Sequence, residues 1–156
     1  TRLIEVANQP EIQAGTISVP AFNAKSARAW LAERTVEARE RSSWAIARCE
    51  TPERLVGYIG LHAIDMVHRE AELSFWIDAA ERGHGLAFEA ATDVIGHAFR
   101  QLGLNRLCAY HMVRNAASAR LLQRLGFLCE GRLRERVWKN GRFEDVFLLS
   151  RLACDR

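Results

Sequence analysis

The sequence predicts one α/β (α+β) domain spanning residues 1–156, a mixed sheet with helices on both faces. Three observations carry this reading. Apolar residues recur at helical spacing over four turns at Leu86, Ala90, Val94, Ile95, Ala98 and Leu102. Short runs rich in β-formers flank that helix on both sides. An Asn140-Gly141 pair near the C-terminal end joins two alternating segments, a strong hairpin signal. At 156 residues with 49% hydrophobic content, the chain is sized for a single ordinary core.

The elements follow in chain order. Leu3 to about Gly15 reads as a short helix, then a loop ending near Pro20. Ser26 is the expected N-cap of a second helix, Ala27 to about Arg41, with Trp30, Leu31 and Val36 on one side. Trp44 to Arg48 alternates as a strand, and Glu50 to Arg54 with Pro52 is a turn. Leu55 to Ile64 is a strand whose Gly57 and Gly60 mark a bulge or a close backbone approach. Ala71 to Asp78 is a third strand. The long helix Leu86–Leu102 stops at Gly103. Asn105 to Met112 is a strand and Ala116 to Leu125 a helix ended by Gly126. Phe127–Trp138 and Arg142–Leu149 form the hairpin.

Composition narrows the function classes. Twenty-two basic and 19 acidic residues give a formal charge of +3, with both signs interspersed. A nucleic-acid binder would show a clustered basic stripe, so no nucleic-acid partner is expected. Cys49, Cys108, Cys129 and Cys154 form no CxxC pair and stand at no metal-ligand spacing, so no metal is expected and the thiols read as reduced. No apolar run is long enough for a bilayer and no signal-peptide pattern opens the chain. The expectation is a cytoplasmic protein without a membrane partner.

Between the third strand and the long helix lies Arg82-Gly83-His84-Gly85-Leu86-Ala87. A strand, a Gly-x-Gly and a helix start place free N–H groups and the positive end of a helix dipole together, which suits a phosphate. Glycine lets the backbone come close to a ligand, and Arg82 adds a charged donor. The dinucleotide pattern fails because Phe88 stands where its third glycine belongs, and no Gly-Lys-Ser/Thr of a Walker loop occurs. A plain strand-to-helix turn is the alternative.

With Ala71-Glu72-Leu73-Ser74-Phe75-Trp76-Ile77 before this turn, Asn115-Ala116-Ala117-Ser118 after it, and Leu125-Gly126-Phe127 beyond, the chain resembles the GNAT superfamily of N-acyltransferases. The turn matches that family's R/Q-x-x-G-x-G/A loop, with Ala87 in last place. Cys129-Glu130-Gly131, the Asn140-Gly141 hairpin and Asp145-Val146 resemble the RimJ/RimL branch, whose namesakes acetylate N-terminal amines of ribosomal proteins. The resemblance runs from about Trp44 to Leu149. It implies a mostly antiparallel sheet whose central strands splay into an acyl-CoA cleft, with acetyl-CoA as cosubstrate. It implies pantetheine pairing along Trp76 and Ile77 and pyrophosphate on the amides of Gly83, His84, Gly85, Leu86 and Ala87 beside Arg82. It also implies a pantetheine hydrogen bond from Asn115. The family's first strand has no counterpart before Leu3: either the sequence lacks it, or that sheet edge is covered otherwise, for example by a partner chain in a homodimer.

Attack of an amine on a thioester needs a neutral amine, a stabilised oxyanion and an outlet for the thiolate. Backbone N–H near Trp76 and Ile77 is the expected oxyanion donor. Glu72 is the expected base, the alternative being a structural carboxylate paired with an arginine. Ser118 is the expected acid, the alternative being a helix cap. The family's tyrosine position is Leu122 here. His84 between the glycines is expected to face solvent or phosphate. His62, His111 and Tyr110 fall in strands and are read chiefly as packed or surface residues, the alternative being a place in the wall of the acceptor cleft. Arg132, Arg134 and Arg136 are read as a solvated strand face. The expected acceptor is a protein N-terminal amine. The alternatives are a small amine (antibiotic, polyamine or amino acid), or CoA binding without turnover.

Overall fold

A computed structural model describes residues 2–17, 19–35 and 42–155. The N-terminal helix of the sequence reading is two short helices, α1 (Arg2–Ala7) and α2 (Pro10–Gly15). Pro10 is the reason for the break: it cannot donate an N–H to a preceding turn but suits the first turn of a new helix. Helix α3 runs Ala24–Thr35 and its cap is Asn23, not Ser26. Asn23 Oδ1 accepts from Ser26 N–H at 2.9 Å and Ser26 Oγ accepts from Asn23 N–H at 2.9 Å, a reciprocal capping arrangement with Ser26 inside the first turn. The expected continuation to Val36 and Arg41 lies outside the described residues.

Six strands follow: β1 (Ser42–Ile46), β2 (Gly57–Asp65), β3 (Glu70–Ile77), β4 (Arg106–Met112), β5 (Leu128–Lys139) and β6 (Arg142–Leu152). A short 3-10 turn (Ala79–Glu81) and α4 (Leu86–Arg100) separate β3 from β4, and α5 (Ala116–Arg124) separates β4 from β5. The sheet order is β1-β2-β3-β4-β6-β5, antiparallel everywhere except between β3 and β4. Gly57 is a close approach, as its composition suggested: a Cβ there would stand 2.7 Å from the Trp76 carbonyl. The β2 irregularity falls further on, between His62 and Asp65, where Ala63 has φ 47°. Asn140 and Gly141 both take positive φ (51° and 75°), the geometry a two-residue hairpin turn requires.

Strand alternation gives the sheet two unlike faces. Leu73, Leu107 and Ala109 face α4 and α5, where Ala91, Val94, Ile95, Ala98 and Leu122 complete the main core. Tyr58 and Trp76 face the other way, into a second cluster with Leu3, Val6 and Ala7 of α1, Ile12 of α2, Phe22 and Ala27. Helices therefore cover both faces. Sheet register puts Tyr58, Gly60 and His62 of β2 opposite Trp76, Ser74 and Glu72 of β3 on this second face.

Candidate active site at the β3–β4 splay

β3 and β4 pair only at Glu70–Arg106, Ala71–Leu107 and Glu72–Cys108. Beyond Glu72 they diverge, and a cleft of about 550 Å³ opens between them. It runs from the glycine turn, past Phe75 and Ile77, to Glu72, His62 and Tyr110. The central strands thus splay as the resemblance implied.

Backbone direction along β3 follows from one bond. Asp78 N–H donates to Val56 O at 2.8 Å, on the β2 side. Alternation then turns the peptide groups of Trp76 and Ser74 toward β2, and those of Phe75 and Ile77 toward the cleft. Of the two expected cofactor contacts on this strand, Ile77 offers its backbone to the cleft. Trp76 offers a side chain, 4% exposed, stacked on Tyr58 with ring centres 5.9 Å apart. The Trp76 indole N–H is buried without a partner among the described residues.

The turn leading to α4 is built for an anion. Gly83 and Gly85 have φ 82° and 83°, so both occupy the left-handed region that glycine alone enters freely. A Cβ at Gly83 would meet nothing within 4 Å, and at Gly85 only Glu89 Oε1 at 4.0 Å. Glycine is therefore required there by backbone conformation, and the space above it is open. The first α4 bonds are Phe88 N–H and Glu89 N–H to Gly85 O, at 2.9 and 3.0 Å. Among the described residues the N–H groups of Gly83, His84, Gly85, Leu86 and Ala87 donate to no protein acceptor, so five adjacent donors fit a pyrophosphate. Arg82 lies exposed at the mouth. His84 is exposed, with Nδ1 3.3 Å from Glu81 O. Arg120 and Arg124 of α5, which the sequence reading passed over, line the same end of the cleft, with Arg124 stacked over the Phe88 ring at 4.5 Å. Their helical spacing was legible, but their placement opposite α4 depends on the tertiary fold.

Asp78 anchors the segment before this turn. It is 1% exposed, accepts Ala80 N–H at 3.1 Å and Gln9 Nε2–H at 2.9 Å, and pairs with Arg2. Burial works against its charge, but these partners outweigh it and hold the carboxyl below its ordinary range.

Asn115 lines the cleft with its side chain already engaged. Its Oδ1 caps α5 by accepting Ser118 N–H at 3.1 Å, and its Nδ2 donates to Gly15 O at 2.8 Å, tying α5 to the end of α2. The cap of α5 is therefore Asn115, and Ser118 is half-buried in the first turn with the cleft beside it. Leu122 is fully buried.

At the far end, Glu72, Cys108 and Tyr110 share one face. Burial pushes the Glu72 carboxyl up, with Arg136 partly opposing. Burial and then the Glu72 charge push the Cys108 thiol to about 11. Burial, with Cys108 and Glu72 beside it, raises Tyr110 likewise. Arg132, Arg134 and Arg136 are all exposed, as expected of a solvated face, and Arg136 is felt at Glu72 only through its charge. The β5 irregularity between Leu133 and Val137, with Glu135 at φ 51°, breaks the alternation that the reading assumed. His111 is 6% exposed against Phe147, a packing position. His62 lies in the cleft wall.

A family model for the acetyltransferase (GNAT) domain matches residues 1–128. The chain belongs to the GNAT family. Among its relatives, the uncharacterized N-acetyltransferase YoaA of Bacillus subtilis is 41% identical over 63% of this chain and 55% of its own length. The ribosomal-protein-serine acetyltransferase of Escherichia coli is 29% identical over 64% of this chain and 56% of its own. The chain thus spans about half the length of the curated relatives it matches. The crystal structure of a Vibrio cholerae spermidine N-acetyltransferase in complex with CoA and spermine superimposes with a TM-score of 0.86 over 98% of this chain and 89% of that one. At 22% identity that likeness establishes the GNAT fold.

Proposed function

We propose that this chain transfers an acetyl group from acetyl-CoA to a primary amine, with a protein N-terminal α-amine as acceptor. The supporting observation is one continuous cleft. It joins five N–H donors at Gly83–Ala87, unpaired among the described residues, to the half-buried carboxylate of Glu72, by way of the cleft-facing backbone of Phe75 and Ile77. Pyrophosphate would lie on the turn with Arg82, Arg120 and Arg124 about it. The pantetheine arm would extend β3 along Phe75 and Ile77, and the thioester would meet Glu72 and Ser118. The Phe75 N–H, the cleft-facing donor nearer Glu72, is then the one available to the oxyanion. Asn115, its side chain bonded within the protein, would hold α5 in place against the arm and offer what acceptor capacity it retains. Ser118 would protonate the departing thiolate. A half-buried carboxylate attracts an ammonium and has the raised proton affinity a base needs.

Arg34 lines the acceptor end and Arg136 stands beside Glu72. Two guanidinium groups favour an acceptor with one cationic nitrogen and a neutral or acidic remainder, such as a peptide N-terminus, over a polycation. The second reading, a small polyamine acceptor, is favoured by the Trp30, Tyr58 and Trp76 rings around the same space. Thiol release from acetyl-CoA, measured against N-terminal peptides and polyamines, tests both. Peptide-dependent release is the expected result. Release with polyamine alone would reassign the acceptor, and CoA binding without release on any amine would make the chain a binding module.

A further inference from the structure

The second face of β2 and β3 carries a hydrogen-bonded chain that the acetyl-transfer reading leaves unused. Ser74 Oγ lies 2.7 Å from His62 Nε2, His62 Nε2 lies 3.3 Å from Tyr58 OH, and Tyr58 OH lies 2.9 Å from Ser43 Oγ. The chain begins at the cleft, where Ser74, His62 and Tyr58 are wall residues, and ends on β1, which within the described residues pairs only with β2. Gly60 makes it possible. It sits between Tyr58 and His62 on the same face, where a Cβ would stand 2.9 Å from Tyr58 Cζ and 3.1 Å from His62 Nε2. Without that Cβ the Tyr58 ring lies back along its own strand and brings its hydroxyl to the imidazole. Stacking on Trp76 and edge contact with Trp30 at 5.1 Å hold the ring there.

Acetyl transfer to an ammonium removes two protons from one nitrogen. The first leaves before attack, and the second leaves the adduct once the C–N bond has formed. As the C–S bond breaks, the thiolate takes one proton back, and the other goes to solvent. Glu72 accepts one proton and, in a loaded cleft, is shielded from water. Ser74 stands two residues along the same strand face. Resting on the acetyl-transfer reading above, we propose that Ser74 and His62 form a second proton acceptor beside Glu72, with Tyr58 and Ser43 as its outlet. Ser74 Oγ takes the adduct's N–H proton as it gives its own to His62 Nε2. The imidazolium then passes that proton to Tyr58 as Tyr58 gives its own to Ser43, and Ser43 releases one to solvent. Each hydroxyl gains and loses one proton, so the chain resets. Ser74 is the member that touches the substrate, and His62, Tyr58 and Ser43 act through it.

The test uses kcat and chemical rescue, which a merely structural histidine would not link. His62→Ala is expected to lower kcat about 100-fold and leave CoA affinity unchanged. Added imidazole restores turnover, and substituted imidazoles do so in the order of their base strength. Ser74→Ala loses turnover similarly, while Ser74→Thr keeps the hydroxyl and stays near the wild-type rate. Full turnover in His62→Ala, a loss confined to CoA affinity, or a loss that no imidazole restores would overturn the relay. Wild-type protein that binds CoA but releases no thiol with any amine would instead overturn the acetyl-transfer reading and the relay with it. Failure of the relay variants alone leaves that reading standing.

Discussion

Glu72 and Gly85 show how differently two residues can be suited to one site. Burial raises the proton affinity of Glu72, so its charged form costs the folded state free energy at neutral pH. The sign follows: a carboxyl raised above its unfolded value favours folding more as pH falls and opposes it as pH rises. Glu72→Gln removes a buried charge, so its melting temperature should equal or exceed that of the wild type at pH 7. Turnover should fall about 100-fold at the same pH. The deficit should narrow in alkaline solution, where the amine arrives neutral. A Glu72→Gln protein that loses stability and activity together would mark the carboxylate as structural, held for its attraction to Arg136. Gly85 costs nothing electrostatically, and its φ of 83° is what an L-residue resists.

At the level of elements, the hairpin is tied to the sheet by a carboxylate that behaves oppositely to Glu72. Glu130 of β5 receives both Arg106 Nη1–H and Nη2–H, at 2.6 and 2.5 Å, and the Ser150 hydroxyl at 2.5 Å, joining β4, β6 and β5. Arg106, then Ser150, holds its carboxyl down at about 2. A depressed carboxyl contributes stability that is complete above its unfolded value of about 4.3 and is lost as pH falls toward 2. The wild-type melting temperature should therefore drop more steeply than that of Glu130→Gln between those limits. Parallel curves would show that the tie contributes nothing. Most elements were legible from periodicity and turn chemistry: the four-turn α4 stripe, the Asn140-Gly141 turn and the glycine stop at Gly103. The exceptions have local causes. Pro10 splits the first helix, Asn23 outcompetes Ser26 as a cap because Ser26 reciprocates inside the turn, and the β5 irregularity interrupts the alternation from Arg132 to Arg136.

For the whole molecule, function rests on an interruption in the sheet. β3 and β4 lie at the centre of the six strands, yet they pair at three positions and then part. Four ordered motifs made that splay expected through family resemblance, and the glycine turn made an anion expected from physics alone. The residues that complete the cleft were not legible in the same way. Arg120 and Arg124 meet the glycine turn across a sequence distance that no periodicity encodes, and the Ser74–His62–Tyr58 chain needs the β2–β3 register and the missing Cβ at Gly60. The central claim is that CoA lies in this cleft with its pyrophosphate on the Gly83–Ala87 turn. It is tested most directly by calorimetric titration of CoA into the wild type, Gly85→Ala and Gly85→Glu. The wild type should bind. Gly85→Ala should bind more weakly through backbone strain alone, on the order of 1–2 kcal/mol. Gly85→Glu, which adds a like charge at the phosphates, should bind far more weakly than Gly85→Ala while remaining folded. Equal affinity in Gly85→Glu and the wild type would contradict the account.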